Sequence, residues 1–190
     1  MKHFSLVLFL VFFLALPPGA LALADDAGKP VIDDILITTS QTHLLLFCSI
    51  RNGFTPEMVE GVHNGIPVTF TFFVELEQER SKWFDATLTE MTINHTLTYD
   101  PLKEQYQVTR SEKQANPLLT DSLEEAIQAM VELSGTRVIH RDALQPDAPY
   151  AIHVKAILAE KTLPLYMHYI IPFISLWDFE TDWRTIEFRY

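Results

Sequence analysis

Residues 66–77 read Ile-Pro-Val-Thr-Phe-Thr-Phe-Phe-Val-Glu-Leu-Glu, and this stretch decides the fold class. Phe70, Phe72, Val74 and Leu76 occupy alternate positions, and threonine and glutamate fill most positions between them. Successive side chains of a strand point to opposite faces of a sheet, so this alternation predicts a strand with one buried face. The stretch therefore predicts a long β-strand in a mainly β protein.

The chain after this strand returns and turns again. Residues 91–99 alternate in the same way, but residues 83–88 follow a different phase, which predicts a bulge or bend near Thr89. Asp100-Pro101 is typical of a turn, and residues 105–110 then form the next strand. Together these segments predict a β-meander.

Four further segments have the composition of strands, being rich in valine, isoleucine and leucine or alternating. They are residues 31–37, 43–50, 150–158 and 185–190. Residues 43–50 are almost continuously apolar, which predicts burial on both faces of that strand.

Two helices are predicted. A short one lies near residues 56–63, with Thr55 as its cap, Pro56 at its first position and Asn64-Gly65 at its end. A longer one covers about residues 122–134.

The longer helix has its own start and stop signals. Ser122 and Glu125 form a capping box, and Gly135 terminates the helix. We expect Leu123, Ile127 and Met130 to pack against a sheet face.

The segment before the strand at Tyr150 resembles the tyrosine corner of immunoglobulin-like sandwiches. Residues 144–150 read Leu-Gln-Pro-Asp-Ala-Pro-Tyr, and in such a corner the tyrosine hydroxyl bonds to the upstream backbone. The fold class predicted is thus a mainly β, immunoglobulin-like antiparallel β-sandwich with one packed helix.

The first 24 residues have the pattern of a cleavable secretory signal peptide. Lys2 precedes an apolar run over residues 4–16, and Ala22-Leu23-Ala24 supplies a small-x-small cleavage pattern. The run is too short for a membrane span, which needs roughly 20 apolar residues. We expect cleavage after Ala24, a single β-sandwich domain over residues 25–190, and a periplasmic location with no stable span after cleavage.

Charge and cysteine usage narrow the possible partners and chemistry. The chain has 14 basic and 25 acidic residues, and loss of Lys2 with the leader leaves a net charge of −12. Such acidity repels nucleic acid, so nucleic-acid binding is not expected. Cys48 is the one cysteine, lies in an apolar strand, and is interpreted as a core residue.

No catalytic or cofactor-binding pattern survives inspection, and we expect no cofactor or metal. Residues 139–146 resemble a kinase catalytic loop, but Asp147 stands where that loop needs asparagine. An alternative is a periplasmic hydrolase or metal-dependent enzyme built from Asp178, Glu180 and Asp182, or from His95. His95 lies on an apolar face, and the favoured interpretation is a neutral core histidine with one hydrogen-bond partner.

An aromatic-rich segment near the end of the chain is a candidate partner surface. Within residues 163–183 it carries Tyr166, Tyr169, Phe173, Trp177 and Trp183. Aromatic side chains dominate interface hot spots because each buries a large, fairly rigid area. An entirely internal role for this segment is the alternative.

Six short motifs resemble a bacterial exported family called domain of unknown function 4390. They are Gly65-Ile66-Pro67-Val68, Trp83-Phe84-Asp85, residues 97–102, Gln105-Tyr106, residues 122–126 and residues 177–183. The resemblance covers nearly the whole mature chain and brings no catalytic residues with it. It implies an exported bacterial protein with no established activity. Because no catalytic signature is found, we expect a non-enzymatic binding or interaction module that serves an envelope sensor or assembly system, with an envelope protein as partner.

Overall fold

The computed structural model describes residues 28–79, 86–113, 116–159 and 179–190. They form two antiparallel sheets and two α-helices, which confirms the mainly β prediction. The first sheet has the strand order β1-β2-β7, and the second has the order β6-β5-β4-β3-β8-β9. The strands are β1 Val31–Thr39, β2 His43–Arg51, β3 Val68–Gln78, β4 Ala86–Asp100, β5 Gln105–Arg110, β6 Leu118–Thr120, β7 Glu132–His140, β8 Pro149–Leu158 and β9 Arg184–Arg189.

Strand β3 is a central strand of the larger sheet and supplies the middle of the core. It pairs with β4 on one side and β8 on the other. Phe70, Phe72, Val74 and Leu76 are fully buried, as the alternation predicted. Side chains from both sheets join them in one continuous buried cluster, an arrangement consistent with a β-sandwich.

Strand β4 contains the predicted irregularity. Its pairing with β3 shifts between Thr87 and Thr89, so Leu88 is the extra residue of a bulge. Strand β5 pairs with β4 only from His95 to Asp100. The first half of β4 therefore has β3 as its single ladder partner among the described strands.

Strand β2 corrects one expectation. Leu44, Leu46, Cys48 and Ile50 are buried, but the residues between them, Leu45 and Phe47 included, keep partial exposure. The prediction that both faces of β2 are buried was therefore wrong, because the three-stranded sheet turns only one face to the core.

The first helix, α1, covers Pro56–His63 as predicted. The Thr55 hydroxyl accepts the Met58 backbone N–H at 3.3 Å, which satisfies one of the free donors at the helix start. Asn64 is its C-cap, and Gly65 follows with φ +83°, a backbone conformation that favours glycine.

The second helix, α2, covers Leu123–Val131 and is shorter than the predicted 122–134. Ser122 caps it as expected, accepting the Glu125 backbone N–H at 3.2 Å. Strand β7 begins at the next residue, Glu132, so the stretch expected to end the helix pairs with β2 instead. Gly135, with φ +68°, therefore lies at a bulge in β7 and does not terminate a helix.

The buried face of α2 also differs from the prediction. Ala126, Ala129 and Met130 are buried and Leu123 packs at the margin of the core. Ile127 keeps partial exposure. The two alanines bring the helix backbone close to the sheet.

The chain crosses from the smaller sheet to the larger one between β7 and β8. A 3₁₀ turn at Arg141–Ala143 begins this connection. The Tyr150 hydroxyl accepts the Gln145 backbone N–H at 2.7 Å, and its side chain is 1% exposed, so the tyrosine corner is present. An immunoglobulin-like strand order is not confirmed, since one corner fixes one connection and leaves the order of the other strands open.

Neither helix in the described part of the chain has the length and apolar character that crossing a membrane requires.

Candidate functional site

A groove of about 920 Å³ is lined by seven consecutive residues of strand β7. Residues 134–140 form one wall, and described residues from the end of β5 and just beyond it contribute to the other. The remaining lining side chains are His43, Met91, Arg110, Glu112, Lys113 and Asn116. The groove thus lies where the edge of the smaller sheet faces β4 and the β5–β6 hairpin of the larger one.

Strand β7 is an edge strand, and its edge is irregular. It pairs with β2 on one side, and among the described residues no strand pairs with its other side. The β2–β7 register shifts twice, between Leu44 and Leu45 and between Leu46 and Cys48. Each shift gives β7 one residue more than β2, so two bulges divide the edge that borders the groove.

Three permanent cations line the groove. Arg110 and Lys113 lie on the hairpin side, and Arg137 lies on β7. No carboxylate of the described residues forms an ion pair with any of them at 4.0 Å or less. In a chain with 25 acidic and 14 basic residues, this groove is a local reversal of charge.

A buried hydroxyl group also borders the groove. Thr136 is 3% exposed, and its Oγ1 atom has no hydrogen-bond partner in the part of the chain that the structure describes. A buried hydroxyl without a partner costs about 1–3 kcal/mol, so such atoms are uncommon.

His95 connects the groove to the core. Its ring is fully buried on β4, with Nδ1 3.0 Å from the Met130 carbonyl oxygen near the end of α2. Its Nε2 lies 3.1 Å and 3.2 Å from the two carboxylate oxygens of Glu112, which lines the groove. The expectation of a single hydrogen-bond partner for His95 was wrong, since both ring nitrogens are engaged.

This geometry determines the chemistry of the His95–Glu112 pair. A carbonyl oxygen and an ionised carboxylate only accept hydrogen bonds, so both are suited to receive an N–H group of the ring. Partial burial by itself raises the pKa of Glu112. The His95 hydrogen bond and charge, a backbone hydrogen bond and the charge of Arg110 outweigh it and hold that pKa below its ordinary value. Both ring nitrogens are therefore engaged, and neither is left to bind a substrate or a metal.

Two more histidines lie at one end of the groove. His43 and His140 face each other across the β2–β7 register, with ring centroids 5.0 Å apart. The His140 Nδ1 accepts the Asp142 backbone N–H at 3.3 Å and so caps the 3₁₀ turn. The stretch that resembles a kinase loop is therefore the end of an edge strand and a capped turn.

The predicted carboxylate site is not assembled by the residues described. Asp178 lies outside them. Glu180 is exposed and forms an ion pair with Lys155, and Asp182 is exposed. Within the described ranges, no group of three or more His, Cys, Asp or Glu side chains is arranged to hold a metal ion.

The predicted aromatic surface is described at one position only. Tyr166, Tyr169, Phe173 and Trp177 lie outside the described residues. Trp183 is 46% exposed, and the Lys155 ammonium lies 5.8 Å from the centroid of its ring. At Trp183, therefore, a partly exposed indole lies beside an ammonium group that is ion-paired with Glu180.

Sequence reasoning missed the groove, and there is a physical reason. Arg110 and Lys113 are 24 or more positions from Arg137, and no short motif joins them. Glu112 follows the strand that ends at Arg110 and is 17 positions from His95. The one local indication was His95 itself, a titratable side chain on an apolar strand face.

Comparison with known proteins identifies a family for this chain. No curated protein and no solved structure matches the chain. The family model described as "Domain of unknown function (DUF4390)" matches residues 27–187, which is most of the sequence. The chain therefore belongs to the DUF4390 family.

Proposed function

We propose that this protein is a non-enzymatic interaction module of the bacterial cell envelope and that the β7 groove is its binding site. The observation that supports this most is the reversal of charge, three cations lining a groove of about 920 Å³ on an acidic protein. The ligand is expected to be part of an envelope protein.

The His95–Glu112 pair supports binding over catalysis at this site. A general base needs a free acceptor within reach of the substrate. Glu112 accepts from His95, and the second nitrogen of His95 is bonded to the backbone of Met130. These contacts therefore hold Glu112, and with it this part of the groove wall, in a fixed position.

Site-specific crosslinking tests the interaction role. A photoreactive amino acid at Ser134, which is exposed in the groove, should crosslink one envelope protein in living cells. The same group at Glu187, exposed on β9 at the far edge of the larger sheet, is the control. Equal crosslinking from both positions, or none from Ser134, would contradict the proposal. So would stoichiometric zinc or calcium in the purified protein, which favours a metal-dependent enzyme.

Export is part of the same proposal. The leader pattern at residues 1–24 supports secretion to the periplasm and a mature chain that begins at Asp25. The intact mass of the exported protein tests this. A mass that retains residues 1–24 would rule out cleavage.

The aromatic segment stays a second candidate surface, to be tested separately. Replacement of Tyr169 or Phe173 by serine should leave the melting temperature within a few degrees and abolish the Ser134 crosslink if the segment also contacts the partner. If these side chains belong to the core, each change should instead cost about 3–5 kcal/mol of stability.

A further inference from the structure

We propose that the ligand of the β7 groove is an extended, acidic segment of a partner polypeptide. This inference rests on the proposed interaction role and specifies the chemistry of the ligand. It is carried by the charge of the groove, its length, its edge strand and its unpartnered hydroxyl.

The positive charge of the groove predicts a negatively charged ligand. Arg110, Lys113 and Arg137 form no ion pair with a carboxylate of the described residues, whereas the Glu112 carboxylate lies 3.1 Å from His95 Nε2. A carboxylate-bearing ligand would supply the missing partners and be steered into the groove by their combined field. A basic or neutral segment would leave these cations unpaired.

The strand that lines the groove predicts that the ligand is extended. Seven consecutive residues of β7, 134–140, line the groove, and an extended chain of that length spans roughly 20 Å. The side of β7 that pairs with no described strand offers backbone groups to such a chain, as edge strands do when they bind peptides. The two bulges limit this pairing to short stretches, so ionic contacts must contribute much of the specificity.

The buried hydroxyl of Thr136 provides a second, independent indication. Its Oγ1 atom is enclosed and has no partner among the described residues. A carboxylate or backbone carbonyl of a ligand in the groove could accept its hydrogen. Binding would then remove a cost that the free protein carries.

A polypeptide fits better than an anionic membrane surface. A membrane would face the whole molecule, whose net charge is −11, and would repel most of it. A single extended segment places its charges only against the cations of the groove.

A binding titration with defined peptides tests the inference. The probe is a fluorescein-labelled peptide alternating glutamate with valine, and the control peptide has glutamine in place of glutamate. Fluorescence anisotropy with the full mature protein should detect the acidic peptide only. Its affinity should fall steeply as salt approaches about 1 M, where charges are screened beyond about 3 Å.

Matched variants locate the binding. R137Q, and separately R110Q, should weaken the acidic peptide about threefold to fivefold, the range expected for loss of one partly exposed ion pair. T136V should weaken it without changing the salt dependence. R184Q removes the same charge from an exposed position on β9 and should leave the affinity unchanged. Thermal melting confirms that each variant remains folded.

Several outcomes would overturn the inference. They are equal binding of the two peptides, no binding of the acidic peptide, an equal loss with R184Q, and binding to phosphatidylglycerol vesicles that R137Q weakens. The last would assign the groove to lipid headgroups. A Ser134 crosslink to a protein combined with no acidic-peptide binding would reject the acidic ligand and leave the interaction role intact.

Discussion

His95 is fully enclosed, yet each of its ring nitrogens is bonded. Nδ1 joins β4 to the end of α2, and Nε2 joins it to Glu112 in the turn after β5. One side chain thus connects three elements. Burial of this polar ring is tolerated because a carboxylate and a carbonyl oxygen lie within hydrogen-bond distance of its two nitrogens.

Replacing Glu112 by glutamine should destabilise the protein. The change removes the carboxylate from a buried histidine, and the loss should be about 2 kcal/mol at neutral pH, as for a hydrogen bond to a charged group. Chemical denaturation measures it. E187Q, at an exposed position on β9, is the control and should change stability by less than about 0.5 kcal/mol.

The same variant has a defined pH dependence. The pKa of Glu112 lies below its ordinary value of 4.5 in the folded state, so its ionised form stabilises the fold above about that pH. The contribution is lost as pH falls through the lower folded-state value. The stability difference between wild type and E112Q should therefore narrow as the pH falls below about 4.5. A difference that widens in acid would contradict this assignment.

At the scale of elements, the β7–β8 connection depends on one hydroxyl. Tyr150 is buried at the start of β8, where its ring stacks on Phe188 and its hydroxyl accepts the Gln145 N–H. This contact fixes the path of the chain from the smaller sheet to the larger. The sequence alone predicted this tyrosine corner because all of its parts lie within seven residues.

Replacing Tyr150 by phenylalanine should cost about 1–2 kcal/mol, since it leaves a backbone donor without its acceptor. Y99F is the matched control. The Tyr99 hydroxyl has no hydrogen bond to the residues described, so its loss should have little effect. Comparison of the two urea midpoints measures the difference. Equal midpoints would show that the corner does not stabilise the crossover.

The local sequence pattern predicted strand β3 correctly but did not predict strand β7, and the reach of that pattern explains both outcomes. In β3, alternation extends over many residues and matches no helical spacing. Leu133 and Ser134 continue the helical spacing of α2, and Gly135 suits a helix end as well as a bulge. Pairing with β2, more than 80 positions earlier, decides between these states, and no local window contains it.

At the scale of the whole molecule, the two sheets share one core. Leu46 and Cys48 of the smaller sheet belong to the same buried cluster as Phe72 and Val154 of the larger. Separation of the sheets would expose all of these side chains together. Unfolding is therefore expected to be cooperative.

The thiol of Cys48 can report this cooperativity. Burial raises its pKa to about 12, so the folded protein holds an unreactive thiol at neutral pH. A thiol reagent should label it only when the core opens, and the labelling rate should rise with urea in parallel with the loss of tertiary structure. Fast labelling without denaturant would show that β2 opens independently of the larger sheet.

The divided edge of β7 also bears on solubility. A long regular edge strand invites pairing with a copy of itself, the first step of many aggregates. Bulges interrupt that pairing, and two β7 edges brought together would place arginine near arginine. The features that would admit a foreign acidic strand thus discourage the protein from polymerising with itself.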